Sequence, residues 1–415
     1  MRKIKDTWLN EYLRFTEGQE SPSMFHMWVG ISVLASTLER STFLDRGYYT
    51  LYPNMYIILV ADSAICKKTT ATNIGIKLLE NIHTPPAIFS QKITPEALIS
   101  AICNECAMDE SGTIFKNAAA VVYGPELSVF LGREAYSSGL VSILTSLYDC
   151  PDMWEYETIG RGKDIAYNTC INLLGASTPE WLRLSIPPDA VGGGFTSRII
   201  FVYQHSSEKI IAHPEVTEAE VQMRENLIED LSAIRKIHGQ YKFTPSAREW
   251  YTKWYHMHRK AQIAGEDYTI RKEDTVLKLA MCFSASKGDS LMITEEFLEQ
   301  AVGVLDANEM FLPEAMRILS STPIGVDANK VAVIIQKHPD GIKHDELVRK
   351  TMYSIDKTKL TEIIETLASA KVIEVSIMTD TNERMYTYKD IPKRTHFADK
   401  FKKEGGEIND TIRND

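Results

Sequence analysis

The stretch from residue 54 to residue 82, NMYIILVADSAICKKTTATNIGIKLLENI, constrains the fold of this chain more than any other. Its apolar run at 55–60 predicts a buried strand, and residues 61–67 form a short polar turn. The predicted helix that follows has apolar residues at Ile74, Leu78, Leu79 and Ile82. Lys68 and Thr69 stand at its start. A strand, a turn and a helix beginning with this pair form the context of a phosphate-binding loop.

This loop departs from the consensus at both glycines. The consensus is G-x-x-x-x-G-K followed by serine or threonine. Asp62 and Lys67 hold the glycine positions, whereas Lys68 and Thr69 match the invariant pair. A non-glycine residue forced into the left-handed conformation costs on the order of 1–2 kcal/mol, which weakens a phosphate site without abolishing it. Two interpretations stay open: a nucleotide site, and a loop that has kept only the outline of one.

The loop supplies the candidate ligands of a nucleotide. A helix N-terminus favours an anion, and the lysine adds positive charge. The hydroxyl of the consensus contacts Mg²⁺, so Thr69 is also the candidate metal ligand. The candidate nucleotide-binding residues are Ser63, Ala64, Cys66, Lys67, Lys68, Thr69 and Thr70.

Composition excludes several classes of protein. A net charge of −10 over 415 residues argues against a surface coated with basic residues for nucleic acid, although it allows a local basic strip. No apolar run reaches the ~18 residues of a membrane span, and the N-terminus lacks the apolar core of a signal peptide. We therefore expect a cytoplasmic protein with reduced thiols and no membrane partner. We interpret Cys103-x-x-Cys106 as helix core, not as a zinc site.

Three other segments place polar residues beside predicted strands. The strand at 118–123 leads into Glu126, which either activates a water molecule or stabilises a helix N-terminus. The strand at 170–178 ends in Thr178, which could contact a γ-phosphate or the attacking water. A glycine-rich loop precedes Arg198, which is either a structural ion-pair partner or a phosphate-sensing arginine.

Residues 154–170 predict a β-hairpin, because two alternating runs flank a glycine-containing turn. Arg161 and Lys163 lie at its tip. The hairpin is either a solvated turn or a loop that reaches for a nucleic-acid backbone.

The N-terminal segment is predicted to be helical. The segments towards the C-terminus are predicted to be helical first and then to contain both helices and strands. Two helices are expected at 6–20 and 22–40, with Ser21 as the N-cap of the second. The pattern is helical from 217 to about 312. Three helices and a hairpin between 327 and 390 follow the order of a winged-helix domain.

The third helix of that domain carries Lys357 and Lys359 on its first turns, and both are candidate DNA-binding residues. A winged helix that binds protein is the open alternative, since the chain is acidic overall.

Several segments together resemble a known family. They are WLNEYLRFTEGQESPSMFHMWVGISVLAS, LYPNMYIILV with its loop, ELSVFLGR, NLLGASTPEWL and GGGFTSR. They resemble a family of phage- and plasmid-associated P-loop ATPases, often called helicase-like, that are fused to or encoded near DNA primases. The resemblance covers roughly residues 6–310.

The resemblance implies an α/β P-loop core of the ASCE (RecA/AAA+-like) type, to which we add N-terminal helices, a helical subdomain and a C-terminal winged helix. The expected domains are an N-terminal helical segment and hairpin at 1–52, an ATPase core at 53–205, a lid-like helical subdomain at 206–322, a winged helix at 323–391 and a disordered tail at 392–415.

The resemblance also implies roles. Lys68 and Thr69 would hold phosphate and magnesium, Glu126 would activate water, Thr178 would be a sensor, and Arg198 would be an arginine finger or second sensor. The hairpin would grip DNA through Arg161 and Lys163.

The expected function is that of an ATP-dependent DNA motor, a replicative helicase of a phage or other mobile element. It would use ATP and Mg²⁺ and act as a ring, with a hexamer as the expected size, on single-stranded or forked DNA. A primase is a candidate partner. The alternative is a non-motor DNA-binding initiator, loader or assembly scaffold with a degenerate loop.

Overall fold

The computed structural model describes residues 2–90, 94–108, 114–131, 139–158, 162–186, 194–207, 209–263, 271–310, 323–377 and 384–389. These residues fall into two compact units, one ending at 310 and the other running from 323 to 389. Among the described helices, none is long and apolar enough to cross a membrane.

The first unit begins with helices and continues into alternating strands and helices. In chain order these are α1 (Trp8–Phe15), α2 (Ser23–Leu38), β1 (Thr42–Asp45), β2 (Thr50–Leu51), β3 (Tyr56–Val60), α3 (Lys68–Glu80), β4 (Ala87–Phe89), α4 (Pro95–Asn104), β5 (Cys106–Met108), β6 (Ile114–Lys116), β7 (Ala119–Gly124), α5 (Leu127–Leu131), α6 (Leu140–Leu147), β8 (Met153–Thr158), β9 (Gly162–Tyr167), β10 (Cys170–Ser177), α7 (Pro179–Ser185) and β11 (Ile199–Tyr203).

The remainder of this unit is mostly helical, as the sequence predicts. It consists of α8 (Glu218–Ile234), β12 (Gly239–Gln240), β13 (Lys242–Phe243), α9 (Pro245–Ile263), α10 (Lys272–Lys287), β14 (Met292–Ile293) and α11 (Glu295–Glu309).

Five strands form a parallel sheet in the order β11-β3-β10-β7-β4. In register, Val60 of β3 pairs with Ser177 of β10 and with Tyr203 of β11. Every residue of β3, β7 and β10 is buried, which explains their continuous apolar runs. Because the strands are parallel, their C-terminal ends lie along one side of the sheet, the carboxyl edge, and their N-terminal ends along the other, the amino edge.

Helix α2 supports the sheet and the loop helix. It is buried on nearly all faces and packs against α1, α3, α10 and β10. Gly75 of α3 allows close approach, since a Cβ there would lie 2.4 Å from Val29 of α2. The loop helix is therefore held directly against the central helix of a core that extends from Trp8 to Leu305.

One prediction about the first unit is wrong. Cys106 is not helix core: α4 ends at Asn104, and Cys106 begins β5 with an exposed side chain. The backbone of Glu105 is extended, so the chain leaves the helix there. Strand β5 pairs with β6 in an antiparallel ladder.

A second expectation, the N-cap of α2, also fails. The helix begins at Ser23 with Pro22 as its N-cap, and the cap makes no side-chain hydrogen bond. The Ser21 hydroxyl instead donates to the carbonyl oxygen of Lys67 in the phosphate loop, 3.1 Å away.

The second unit contains three helices and a three-stranded sheet. Its elements are α12 (Pro323–Gln336), β15 (Ile342–Lys343), α13 (His344–Thr351), α14 (Lys357–Ser369), β16 (Ile373–Ile377) and β17 (Arg384–Tyr388). The strands are antiparallel in the order β15-β17-β16. Apart from β15, which was not predicted, the elements and their order match the prediction from the sequence, while the winged-helix assignment and the domain boundaries stay predictions.

Candidate functional site

The phosphate loop lies at the carboxyl edge of the sheet. It joins β3 to α3, and the N–H of Ala61 donates to the carbonyl of Ser177 at the end of β10 (3.4 Å). Residues 62–65 are exposed, whereas Cys66 is buried with its Sγ 3.8 Å from the carbonyl of Gln204. The predicted strand, turn and helix are therefore confirmed, and the turn is open to solvent.

The loop keeps left-handed backbone without glycine. Lys67, at the second glycine position, has φ of 46° and ψ of 40° and precedes the first residue of α3. Ala64 has φ of 63°. Asp62, at the first glycine position, is not among the described residues with positive φ. The lost glycine therefore matters at position 67, where strain is on the order of 1–2 kcal/mol.

Lys68 closes the loop onto itself. Its Nζ donates to the carbonyl of Ala61 at 2.7 Å and to that of Asp62 at 2.9 Å. Burial lowers the pKa of Lys68, while nearby Cys66 and Asp62 act in the opposite direction. A phosphate would have to take over the ammonium from these two carbonyls, and a charged acceptor makes the stronger hydrogen bond.

Thr69 links the loop to the acidic strand end. Its Oγ1 lies 3.4 Å from the carbonyl oxygen of Pro125, the residue before Glu126. Glu126 follows β7 with an exposed side chain, and its carbonyl accepts from Val129 and Phe130 at the start of a short helix. The structure thus brings the invariant pair and the candidate base to one place.

Thr178 lies at the same edge and has a structural partner. Its hydroxyl accepts a hydrogen bond from the N–H of Trp181 at 3.3 Å, so it caps α7. A hydroxyl accepting in a cap can still donate its own proton, which is compatible with the sensor role expected of it.

Arg198 lies at the opposite edge. It precedes β11, and the register places Ile199 beside Tyr56, the first residue of β3. The phosphate loop follows Val60, four strand residues and roughly 13 Å further along. The structure therefore does not bring Arg198 together with Lys68 in one chain.

An ion pair holds Arg198 at that edge. Its Nη2 lies 2.8 Å from Asp149 Oδ2, its Nη1 donates to the carbonyl of Gly194 at 2.6 Å, and Arg271 Nη1 lies 3.5 Å from Asp149 Oδ1. Both alternatives stated for Arg198 thus stay open, since an arginine held by a half-exposed carboxylate can still exchange it for phosphate.

The hairpin of β8 and β9 forms as predicted, with Thr158 paired to Gly162. Lys163 Nζ lies 2.7 Å from Glu155 Oε1, and this hydrogen bond raises the pKa of Lys163. Arg161 lies outside the described residues. Glu157 and Asp164 also lie on the described strands, so acidic side chains accompany Lys163 there. Lys163 alone therefore does not make the described part of the hairpin basic.

In the second unit, the candidate DNA-binding lysines differ in their contacts. Lys359 Nζ lies 2.5 Å from Asp327 Oδ2, an ion pair within the unit. Lys357 begins α14 with an exposed side chain. Lys359 would have to exchange Asp327 for a phosphate to contact DNA, so both lysines stay predictions.

The residues at the carboxyl edge suit magnesium better than a transition metal. Among the described residues, no three histidine, cysteine or acidic side chains cluster as a metal site. Magnesium with a nucleotide needs no such cluster, because phosphates and water supply most of its ligands. The Thr69 hydroxyl and the Glu126 carboxylate are the hard oxygen donors that this ion prefers.

Comparisons with known proteins add little. No protein-family model and no curated protein matches the chain. Among solved structures, it is similar to a full-length MCM homolog from Methanopyrus kandleri, with 13% identity and a TM-score of 0.42. The similarity covers 72% of this chain and 58% of that one, so this chain spans less than two thirds of its length. A likeness at this level decides neither fold nor activity, which rest on strand order and site geometry.

Proposed function

We propose that this chain is an ATP-dependent DNA motor, a helicase of a phage or other mobile element, in which ATP binds between copies of the chain. The observation that carries the proposal is the placement of the loop after β3, Glu126 after β7 and Thr178 after β10 at one edge of the sheet, with β10 between β3 and β7. Strand β10 would be the additional strand for which the ASCE fold is named. The resemblance found in the sequence implies that fold.

The geometry of the carboxyl edge supports a role for each residue there. Lys68 would exchange two loop carbonyls for the phosphates, and Thr69 would hold the magnesium, which neutralises charge on the transferred phosphoryl group. Glu126, exposed at the strand end, would orient and deprotonate the attacking water. Thr178 would contact the γ-phosphate.

The role of Arg198 requires a second copy of the chain. It lies at the amino edge, so it would act on a nucleotide bound by a neighbour and stabilise charge in the transition state. A closed ring supplies such a neighbour for every site, and the hairpin of β8 and β9 would then track DNA through it.

The test is ATP hydrolysis by the purified full chain, with and without single-stranded DNA. We expect hydrolysis stimulated by DNA, lost by at least about 10²-fold in Lys68→Ala and in Glu126→Gln. Lys77→Ala, an exposed lysine on the same helix, is the matched control. Equal hydrolysis in Lys68→Ala and the control would sink the proposal.

A non-motor DNA-binding scaffold is the second candidate, and the observation that favours it is the strained Lys67 with Lys68 turned onto the loop's own carbonyls. In that case DNA binding is unchanged in Lys68→Ala, and no hydrolysis is measured in any variant.

A further inference from the structure

A segment preceding α2 contacts Lys67, the left-handed residue at the second glycine position of the phosphate loop. We call residues 17–21 the N-terminal strap. The Ser21 hydroxyl donates to the Lys67 carbonyl at 3.1 Å, and Glu20 Oε2 lies 3.7 Å from Lys67 Nζ. Ser21 is buried although it is polar. Two neighbouring residues of the strap therefore contact the same loop residue, one at its backbone and one at its side chain.

The backbone contact fixes the orientation of a peptide group. The Lys67 carbonyl also accepts from the N–H of Ala71 at 3.2 Å, in the first turn of α3. With Ser21 as a second donor, both acceptor positions of this oxygen are used. A left-handed lysine persists only where its surroundings hold it, and this pair of hydrogen bonds does so.

The side-chain contact pairs the Lys67 ammonium with a carboxylate outside the loop. Glu20 accepts from the N–H of Ile211 through Oε1 (3.0 Å), which leaves Oε2 for Lys67. The strap is itself anchored to the segment after β11, because Ser207 bonds the carbonyl of Glu20 and Lys209 that of Glu17 (2.8 Å). The carboxylate is thus held in place independently of Lys67.

We propose that Ser21 and Glu20 are positioning residues of the phosphate loop. Ser21 holds Lys67 in the left-handed conformation that a glycine would adopt without strain. Glu20 binds the Lys67 ammonium until a nucleotide phosphate replaces it. The inference rests on the proposed function in one respect, that the loop binds a nucleotide.

The first test needs no nucleotide. Amide hydrogen exchange of residues 62–68 is measured in the full chain. Ser21→Ala should raise the exchange rate about tenfold, the equivalent of the strain it no longer opposes. Ser23→Ala, an exposed serine two residues away, is the control and should change nothing. Equal exchange in both variants overturns the role of Ser21.

The second test titrates a fluorescent ATP analogue with Mg²⁺. Ser21→Ala should weaken binding about tenfold, but less than about twofold when Lys67→Gly is also present, because glycine needs no support there. Glu20→Gln should tighten binding by a few-fold, since the phosphate no longer competes with a carboxylate for Lys67. Glu17→Gln is its control, since the contact of Glu17 with Lys209 is made through its backbone.

The opposite signs separate positioning from a merely structural strap, which would weaken binding in both variants and in both backgrounds. Weaker binding in both variants and both backgrounds overturns this inference. If the wild-type chain still binds the analogue, the proposed function is unaffected. If the wild-type chain binds no analogue, the proposed function fails. The amide hydrogen-exchange measurement then still tests whether Ser21 holds Lys67 in place. The part of the inference in which phosphate replaces Glu20 on the Lys67 ammonium is overturned.

Discussion

The two edges of the parallel sheet carry opposite kinds of candidate site. At the carboxyl edge, loop residues 62–65, Thr69 and Glu126 are exposed, and Lys68 bonds only backbone carbonyls among the described residues. At the amino edge, Arg198 has a largely buried side chain and is held by Asp149. The carboxyl edge is open to an anion, whereas the arginine at the amino edge is already paired with a carboxylate.

This difference follows from where each residue stands relative to its strand. Glu126 and Lys68 follow strands, whereas Arg198 precedes one, and parallel strands send these two groups to opposite edges. Under the function proposed above, no single edge of the sheet carries all of the proposed residues. Two copies, with one edge facing the other, would bring them together.

The largest expected effect tests that division between edges. Arg198→Ala should lower kcat for ATP by about 10³-fold or more, with nucleotide affinity changed less than about twofold, because the arginine acts on a neighbour's transition state. Steady-state hydrolysis and analogue titration measure the two quantities, with Arg224→Ala, an exposed arginine, as control.

Co-expression sharpens the result. Assemblies containing both Arg198→Ala and Lys68→Ala chains should regain activity that neither has alone, since an intact loop then meets an intact arginine. Persistent inactivity of the mixed assemblies contradicts the two-copy site.

The next effect concerns α2, the helix that packs against the loop helix α3. His26 of α2 is buried, and neither ring nitrogen has a hydrogen-bond partner in the described part of the chain. Burial lowers the pKa of His26 to about 4, and the charge of Lys209 acts in the same direction. Above about pH 6.5 the ring is neutral in both states; below it the unfolded chain takes up a proton that the folded chain resists until about pH 4.

Stability should therefore fall by about 3 kcal/mol between pH 6.5 and pH 4 through this one group. Denaturant unfolding across that range measures it. His26→Gln should flatten the pH dependence, whereas the exposed His83→Gln should leave it as in the wild type. Parallel curves for wild type and His26→Gln would remove His26 as the cause.

A smaller effect measures the strain in the loop. Lys67→Gly should raise the free energy of unfolding by about 0.5 kcal/mol, because relief of the left-handed strain exceeds the entropy cost of glycine and the loss of a half-exposed ion pair. Ser63→Gly, in the same loop without positive φ, should lower it by about 0.5–1 kcal/mol. A destabilised Lys67→Gly would mean that the contacts of the lysine outweigh its strain.

The smallest effect concerns the hairpin that precedes β10, on the amino-edge side. For binding to single-stranded DNA, the logarithm of the association constant falls linearly with the logarithm of the salt concentration. Lys163→Ala should make this slope about 0.7 less steep, as expected for the loss of one phosphate contact. Lys253→Ala, which breaks a similar exposed pair with Glu249, is the control. Identical slopes in the two variants would assign Lys163 to its pair with Glu155 alone.

The sequence by itself determined the local elements. Apolar runs identified β3, β7 and β10, and the Lys68-Thr69 pair at a helix start located the loop, because periodicity and turn chemistry are properties of neighbouring residues. The opposite placement of Arg198 could also have been inferred, since that residue precedes its strand instead of following it.

Only the tertiary structure decided which residues became partners. The order β11-β3-β10-β7-β4 places β3 beside β10 and β11, segments more than a hundred residues away, and no local pattern specifies such contacts. The same reason explains Ser21, predicted to cap α2 and found on Lys67, and the ion pair of Lys359 with Asp327, which no local pattern indicated. A side chain's local preference is weak, so the groups that folding brings within hydrogen-bond distance determine its final contact.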